Sequence, residues 1–467
     1  MYREQIDKFI DEKKEEMLED LKSLVRIDSQ KGAARPGKPF GEGPAAALAK
    51  GEELMSRYGL KTRNYENYVV AGDWGTGEKG LDILAHLDVV PVTDGWTVTD
   101  PFEPVVTEGK IYGRGTCDDK GPAIAALYAI RAIRELGIPL KKSVRLILGA
   151  DEECGSSDLA YYYEIEKEAP CTFTPDGSFP LINLEKARLA KKFEAHFSAG
   201  IETPRVISIK AGDKENVVPA KAEAVLEGIT EETLEGAAEK AAEKTDAVFL
   251  WEHRDGRIFL SVKGTAAHAS TPEMGNNALT ALLYLLTLLP LAKCQGHKCL
   301  ASLSHMFPPK DTAGTALGIN MEDEESGALT INLGVLRYED SFLQGCFDCR
   351  APLCATDENL TEKLRDAFFE EDMDMEAGKM TPAHHVSAHS SFVRTLLESY
   401  EKYTGIKGKP LAIGGGTYVH ELERGVAFGC EMPGTDNHMH GDDEFMEVDV
   451  LLMSAKIFAD AIISLCG

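Results

Sequence analysis

No apolar run in this chain is long enough to cross a bilayer. The longest, Ala278 to Leu289, stops at Pro290, short of the roughly 20 residues a membrane helix needs, and reads as a buried helix. An export signal is also missing: Asp7, Asp11, Glu12, Glu15 and Glu16 occupy the stretch where a signal peptide needs an apolar core. Positive charge is scarce. With 50 basic against 77 acidic residues the formal charge is -27, which repels phosphate backbones and anionic headgroups, so neither nucleic acid nor a membrane is an expected partner. The ten cysteines show no disulfide framework, and without an export signal they read as reduced thiols of a cytoplasmic protein. The only CxxC, Cys346-Phe347-Asp348-Cys349, lacks a second pair and lies in a strand-like run. A structural role is expected for it, with redox or zinc chemistry as the alternative.

What is present is a globular composition, 43% hydrophobic and 27% charged. At 467 residues the chain exceeds one ordinary core, and two domains are expected. Met17, Leu18, Leu21, Leu24 and Val25 recur at helical spacing, predicting an amphipathic helix that ends near Ser29. A Gly/Pro-rich loop, Lys31 to Pro44, follows. Leu81 to Ala85 and Val144 to Ala150 read as strands, with a helical pattern from Pro122 to Leu136 between them. Strand, helix, strand implies a parallel sheet unit.

From about Glu185 the texture changes to short strands (205–209, 258–262, 329–333) alternating with helices (231–244, 278–289). After Pro382 the first texture resumes, with a helix from Ser391 to Tyr403 and a strand-like Val426 to Cys430. The predicted organisation is a catalytic domain from residues 1–184 and 383–467, interrupted by an inserted domain at 185–382. A weak duplication within the insert is suggested by its two helix-plus-strand halves, without a clear sequence repeat.

The acidic residues and histidines stand where apolar strands stop: His86-Leu87-Asp88, Asp118-Asp119, Glu152-Glu153, Asp176 and His440. Ligand crevices in open α/β sheets lie outside the carboxyl ends of the strands, so residues distant in sequence meet there. Each element alone has a bland reading as a hydrogen-bonded pair or a solvated charge. Together they predict a two-metal site. Two divalent ions about 3.5–4 Å apart generate hydroxide and polarise a carbonyl oxygen. Asp118 would bridge them, His86 and Asp176 would complete one ion's ligands, and Glu153 and His440 the other's. His438 lies close enough to compete, but the spacing from His440 to Glu444 favours His440. Asp88 would hold the second imidazole nitrogen of His86. Glu152 is the expected general base, and it can share a pocket with Glu153 only if the strand has already bent there.

Local contexts carry a resemblance. Leu84 to Pro91, Gly113 to Gly121, Asp151 to Ser156, Thr174 to Asp176, Asn216 to Pro219, Gly264 to Pro272, Phe347 to Arg350, Gly414 to Tyr418 and His440 to Glu444 resemble the di-zinc metallopeptidase family that contains carboxypeptidase G, aminoacylase and peptidase V. Its length makes the chain most similar to the peptidase V-type dipeptidases.

The resemblance implies an α/β fold: a mixed-sheet catalytic domain sandwiched by helices, with an inserted α+β lid of two ferredoxin-like halves. It implies a zinc-dependent dipeptidase that holds two Zn2+, with Mn2+ or Co2+ as alternatives, and cleaves small peptides bearing a free C-terminal carboxylate. The attacking group would be a metal-bound hydroxide, with Glu152 as base. It also implies that His268 and Asn216 reach the oxyanion, that Arg350 holds the terminal carboxylate, and that Gly415 and Tyr418 line the substrate site. A cis Asp118-Asp119 bond and a monomer whose lid mimics a dimer partner are further implications. One departure is the run Tyr418-Val419-His420, where relatives often carry arginine. The alternatives are an N-acyl amino acid deacylase, a metallocarboxypeptidase and, from another class, a catalytically silent metal-binding protein.

Overall fold

Every residue of Gly80 to His86 is buried, a pattern that only a strand covered on both faces can carry. In the computed structural model, which describes residues 2–339 and 341–467, the strand Lys79–His86 lies inside a mixed sheet. The spatial order is Lys61–Tyr65, Val69–Trp74, Ser143–Gly149, Lys79–His86, Thr172–Thr174, Gly425–Ala427, Ile182–Glu185 and His384–His385. Lys79–His86 runs parallel to both of its neighbours, and the crossover to Ser143–Gly149 is the helix Lys120–Glu135. Val69–Trp74 and Lys61–Tyr65 extend the sheet antiparallel. Because the central strands are parallel, their carboxyl ends open on one edge, and the acidic residues follow those ends.

The faces of this sheet are unequal. Leu81, Ile83 and Ala85 join the large core beneath helices Lys14–Val25, Glu42–Arg57, Lys120–Glu135, Ser391–Thr404 and Val448–Cys466. Leu84, of the opposite parity, joins a small cluster with Leu159, Tyr162, Tyr418 and Val419. Period-two alternation thus sends consecutive residues to two different cores.

The chain divides into two packing units. The first comprises the chain up to Leu184 with His384–Leu411 and Gly416–Gly467, and the second Glu185–Ala383 with Ala412–Gly415. The segment 412–415, expected in the last catalytic stretch, therefore packs with the second unit. That unit is built on one antiparallel sheet in the order Val248–Arg254, Arg257–Lys263, Lys221–Glu227, Arg205–Ala211, Thr330–Glu339, Phe342–Ala351, Ala187–His196 and Asp374–Met375. Its last four strands with helices Gln295–Met306 and Glu362–Glu370 trace strand-helix-strand-strand-helix-strand, interrupted after the first strand by the other half. Strand Arg257–Lys263 shows why one face is covered: Ile258, Leu260 and Val262 are buried while Arg257 and Lys263 are exposed.

Two local expectations need correction. The N-terminal segment is not one helix ending near Ser29 but Arg3–Glu12 and Lys14–Val25. The chain leaves the second helix because tertiary partners take the next residues: Ser29 Oγ donates to the Leu87 carbonyl at 2.6 Å, and Gln30 bridges Val89. The loop expected to run to Pro44 ends at Gly41, because Pro44 sits in the first turn of Glu42–Arg57, where its missing N–H costs nothing. Cys346 and Cys349 are free thiols. Three positions apart on one strand, they face opposite ways, and Cys349 packs in the core beside Phe347.

Candidate metal centre

His86 is the last residue of its strand and is fully buried. Its main-chain N–H donates to Asp119 Oδ2 at 3.0 Å, and its Nδ1 meets the Asp88 main-chain carbonyl at 3.0 Å. That contact makes Nδ1 a donor, so Nε2 is the nitrogen turned toward the carboxylates. Nε2 points to Asp118 Oδ1 at 2.9 Å and Asp176 Oδ2 at 3.7 Å. Asp118 precedes the helix Lys120–Glu135, and its peptide bond to Asp119 is cis. Asp176 follows Thr172–Thr174 by two residues. On the other side, His440 Nε2 lies 2.7 Å from Asp118 Oδ2 and 3.3 Å from Glu153 Oε1.

Two groups of possible ligands result: His86, Asp118 and Asp176, and Asp118, Glu153 and His440, each with its ligating atoms within 4.8 Å of one another. Asp118 is common to both. His438 stays outside, with Nδ1 at 3.2 Å from the Asp442 carbonyl.

Glu152 and Glu153 reach one pocket because the chain bends before them. Strand Ser143–Gly149 ends, and Glu152–Cys154 forms a single 3-10 turn. Asp88 holds this turn: its two carboxylate oxygens accept the main-chain N–H groups of Glu152 and Glu153, at 3.2 Å each. The role expected for Asp88 changes accordingly. His86 Nδ1 is served by the Asp88 carbonyl, while the carboxylate lies 3.5 Å from it and is engaged by the turn.

The side chains alone set strongly displaced proton affinities. Burial would lift Asp118, but the hydrogen bond from His440 and the nearby His86 and His440 charges hold it far below the carboxylate range. Burial opposes charge on His440, yet Asp118 and Glu153 push it up to about 11. Burial and then the Asp118 charge raise Glu153 to about 7 and also lift Asp176. Glu152 is raised well above its ordinary value, chiefly by burial. His86 Nε2 and Glu153 Oε1 are buried without a hydrogen-bond partner. Crowded carboxylates, two imidazoles and two unsatisfied ligating atoms are what divalent cations of the zinc, manganese or cobalt type would satisfy.

Tyr418, expected at the substrate, is 1% exposed. Its hydroxyl donates to Asp158 Oδ2 at 2.5 Å, and its ring stands edge-on to His86 with centroids 6.0 Å apart. Position 418 therefore backs His86 and presents nothing to a ligand. Asp158 also accepts from Ala150 N at 2.6 Å and Asp151 N at 3.0 Å, clamping the chain just before Glu152.

In the second unit, Asn216 and His268 stand on facing segments. The Asn216 carbonyl accepts from Ala269 N at 2.9 Å, and Val218 N donates to the Ala267 carbonyl at 2.9 Å. Ser270 N donates to His268 Nδ1 at 3.2 Å, with Ser270 Oγ 2.6 Å from the same nitrogen. Nδ1 is thus an acceptor, and the neutral ring carries its hydrogen on Nε2. Arg350 is buried, with Nε and Nη2 on the two oxygens of Asp348 at 2.6 and 3.1 Å and Nη1 on the Gly414 carbonyl. One N–H remains on each terminal nitrogen. Gly414 is the glycine that space demands, since a Cβ there would stand 2.7 Å from Ser270 Cβ; at Gly415 the nearest atom would be 3.7 Å away.

Residues to which the sequence assigned no role also build the site. Asp119 orients the His86 backbone, Asp158 braces the Glu152 turn, and Arg114 with Glu444 joins the loops of Asp118 and His440. Of these, Asp119 stood in the acidic pair, and Arg114 and Glu444 lay in motifs already marked; Asp158 lay outside them all.

Comparison with known proteins agrees with this architecture. The model of peptidase family M20/M25/M40 matches residues 83–464. YtjP of Bacillus subtilis (strain 168), named as a candidate dipeptidase, is 37% identical over 462 residues, covering 97% of this chain and 98% of that protein. The Beta-Ala-Xaa dipeptidase of Lactobacillus delbrueckii subsp. lactis is 33% identical over 459 residues, covering 97% and 96%. Among solved structures, aminoacylhistidine dipeptidase from Vibrio alginolyticus superposes with a TM-score of 0.58 at 14% identity, covering 97% of this chain and 96% of that one, which speaks to the fold alone. The chain belongs to peptidase family M20/M25/M40 and is a hydrolytic peptidase.

Proposed function

We propose that the protein is a dipeptidase that holds two divalent cations, Zn2+ in the first instance, and hydrolyses dipeptides with a free C-terminal carboxylate. One observation carries the reading: the Asp118 carboxylate sits between two ligand groups, with one oxygen toward His86 and the other toward His440. A shared carboxylate is what a paired-ion site requires. His86 and Asp176 would complete one ion's ligands, Glu153 and His440 the other's. When bound, such ions activate water and polarise the scissile carbonyl.

The protein's own groups supply the rest. Glu152, held in its turn by Asp88 and adjoining the ligand Glu153, accepts the proton of the attacking water and delivers it to the leaving amine. Burial raises the proton affinity of Glu152, the direction that favours taking up a proton. His268, with its hydrogen on Nε2, and the Asn216 amide are suited to donate to the developing oxyanion. The free N–H on each terminal nitrogen of Arg350 suits a substrate carboxylate. The names of the bacterial relatives point to dipeptides as the substrate class.

Among the described residues all ten cysteines are unpaired and no helix is long and apolar enough to cross a membrane. We place the protein in the cytoplasm on the first of these. Because the inserted second unit is large and carries its own His268, we read the catalytic species as a monomer. The test is metal analysis of purified protein together with a product screen on dipeptides, longer peptides and N-acyl amino acids. Turnover confined to dipeptides with about two ions per chain is expected; preference for acyl amino acids or longer peptides would replace the dipeptidase reading.

A further inference from the structure

The five proposed ligands are not held alike. His86 ends a central strand and Asp176 follows the next one, so the sheet fixes both. His440 belongs to no helix or strand, has a φ of 62° and leaves 53% of its side chain exposed. Something else must set it against Asp118.

Arg114 and Glu444 occupy that position. They lie 330 residues apart, and their side chains are 2% and 0% exposed. Arg114 Nη1 donates to Glu444 Oε2 at 2.5 Å. Its Nη2 donates to the main-chain carbonyls of His440 at 3.3 Å and Gly441 at 3.0 Å. Glu444 replies in the other direction: Oε1 accepts the main-chain N–H groups of Gly115 and Cys117 at 3.0 Å each, and its carbonyl accepts Gly113 N at 3.0 Å. The arginine of the first loop thus grips the backbone of the second, and the glutamate of the second grips the backbone of the first. Cys117 directly precedes Asp118. Pairing of Phe445–Glu447 with Lys110–Tyr112 brings the loops together but stops before either ligand.

Burying an ion pair contributes little net stability and often costs some, so stability alone does not account for this one. We infer that Arg114 and Glu444 are positioning residues that set His440 at its distance from Asp118, and so build the cation site formed by Asp118, Glu153 and His440. The inference rests on the two-ion reading.

Metal binding, measured apart from turnover, tests it. Chelated full-length wild type and the variants Arg114→Met, Arg114→Lys and Glu444→Gln are titrated with Mn2+ by calorimetry and by electron paramagnetic resonance, in which spin coupling reports two ions sharing a bridge. Wild type is expected to take two ions with a coupled signal. Arg114→Met and Glu444→Gln are expected to bind the first ion as wild type does, to bind the second ~10–100-fold more weakly, and to lose the coupling. Arg114→Lys, which keeps the charge but cannot span all three oxygens, should fall between. Wild-type binding of both ions in Arg114→Met and Glu444→Gln overturns the inference. So does equal weakening of both ions accompanied by a lower melting temperature of the chelated variants, the mark of a general structural tie. Failure of even Arg114→Lys to fold overturns it as well. A wild type that takes a single ion overturns the two-ion reading first, and the inference with it.

Discussion

Asp88 Oδ1 accepts the main-chain N–H of Glu152 at 3.2 Å, across 64 positions of sequence. The partner oxygen does the same for Glu153, so one carboxylate fixes both the proposed base and a proposed ligand through their backbone. Asp88→Ala removes that anchor while leaving the His86 contact to the residue 88 carbonyl. It is expected to lower kcat by ~10–100-fold with little change in KM, in steady-state kinetics on a dipeptide. Undiminished kcat would show that the turn holds itself.

Glu152→Gln keeps the size of the side chain and removes the base. A fall in kcat of ~10²–10⁴-fold is expected, with the metal content of the purified variant equal to wild type. Loss of an ion along with activity would instead make Glu152 a ligand.

Proton affinities give metal binding a pH dependence. Glu153, raised to about 7 by burial and the Asp118 charge, and His440, pushed up to about 11 by Asp118 and Glu153 against burial, retain protons that cations must displace. Both folded values lie above the unfolded ones, so their contribution to the chelated protein is full at low pH. It falls as pH rises, for Glu153 between 4.5 and about 7. Chelation should therefore lower the melting temperature more at pH 8 than at pH 6, and metal addition should release protons measurable by calorimetry in buffers of different ionisation enthalpy. Equal shifts at the two pH values would contradict this.

Tyr418→Phe tests the brace behind His86. Burial lifts Asp158 to about 6, and the Tyr418 hydroxyl is among the groups that favour its charged form. With a folded value above the ordinary 3.8, Asp158 contributes most below its unfolded value and loses that contribution as pH rises through about 6. Removing the hydroxyl should cost about 1–3 kcal/mol at pH 8 and less at pH 5, read from denaturant unfolding. A loss independent of pH would mean that the hydroxyl serves packing alone.

The residues that gather at the sheet edge were legible because chain order and hydrophobicity mark them: an apolar run ends, and an acid or imidazole stands next. His86, Glu153 and Asp176 follow that rule; Asp118, which stands before a helix, and His440, in a turn far from any strand end, do not, and the expectation that they close apolar strands is corrected. What orients them follows no local rule. Asp158, Asp119 and the pair Arg114 and Glu444 act over tens to hundreds of residues, and no periodicity encodes a partner that far away. Tyr418 shows the opposite failure. Its motif context suggested a ligand contact, but burial decides the role of an aromatic residue, and burial depends on what packs from elsewhere. The helix expected to reach Ser29 ends at Val25, and Ser29 instead hydrogen-bonds through its hydroxyl to the distant Leu87 carbonyl.

The strand Gly425–Ala427 lies between Thr172–Thr174 and Ile182–Glu185, pairing with both. A ribosome therefore threads more than two hundred residues after those two strands before the piece that fits between them emerges. Until then the nascent sheet has a gap in its middle with unpaired main-chain groups on both lips, the kind of surface that holding chaperones shield. Synthesis halted before residue 425 leaves not a shortened peptidase but a sheet with an open seam, and it never reaches His440.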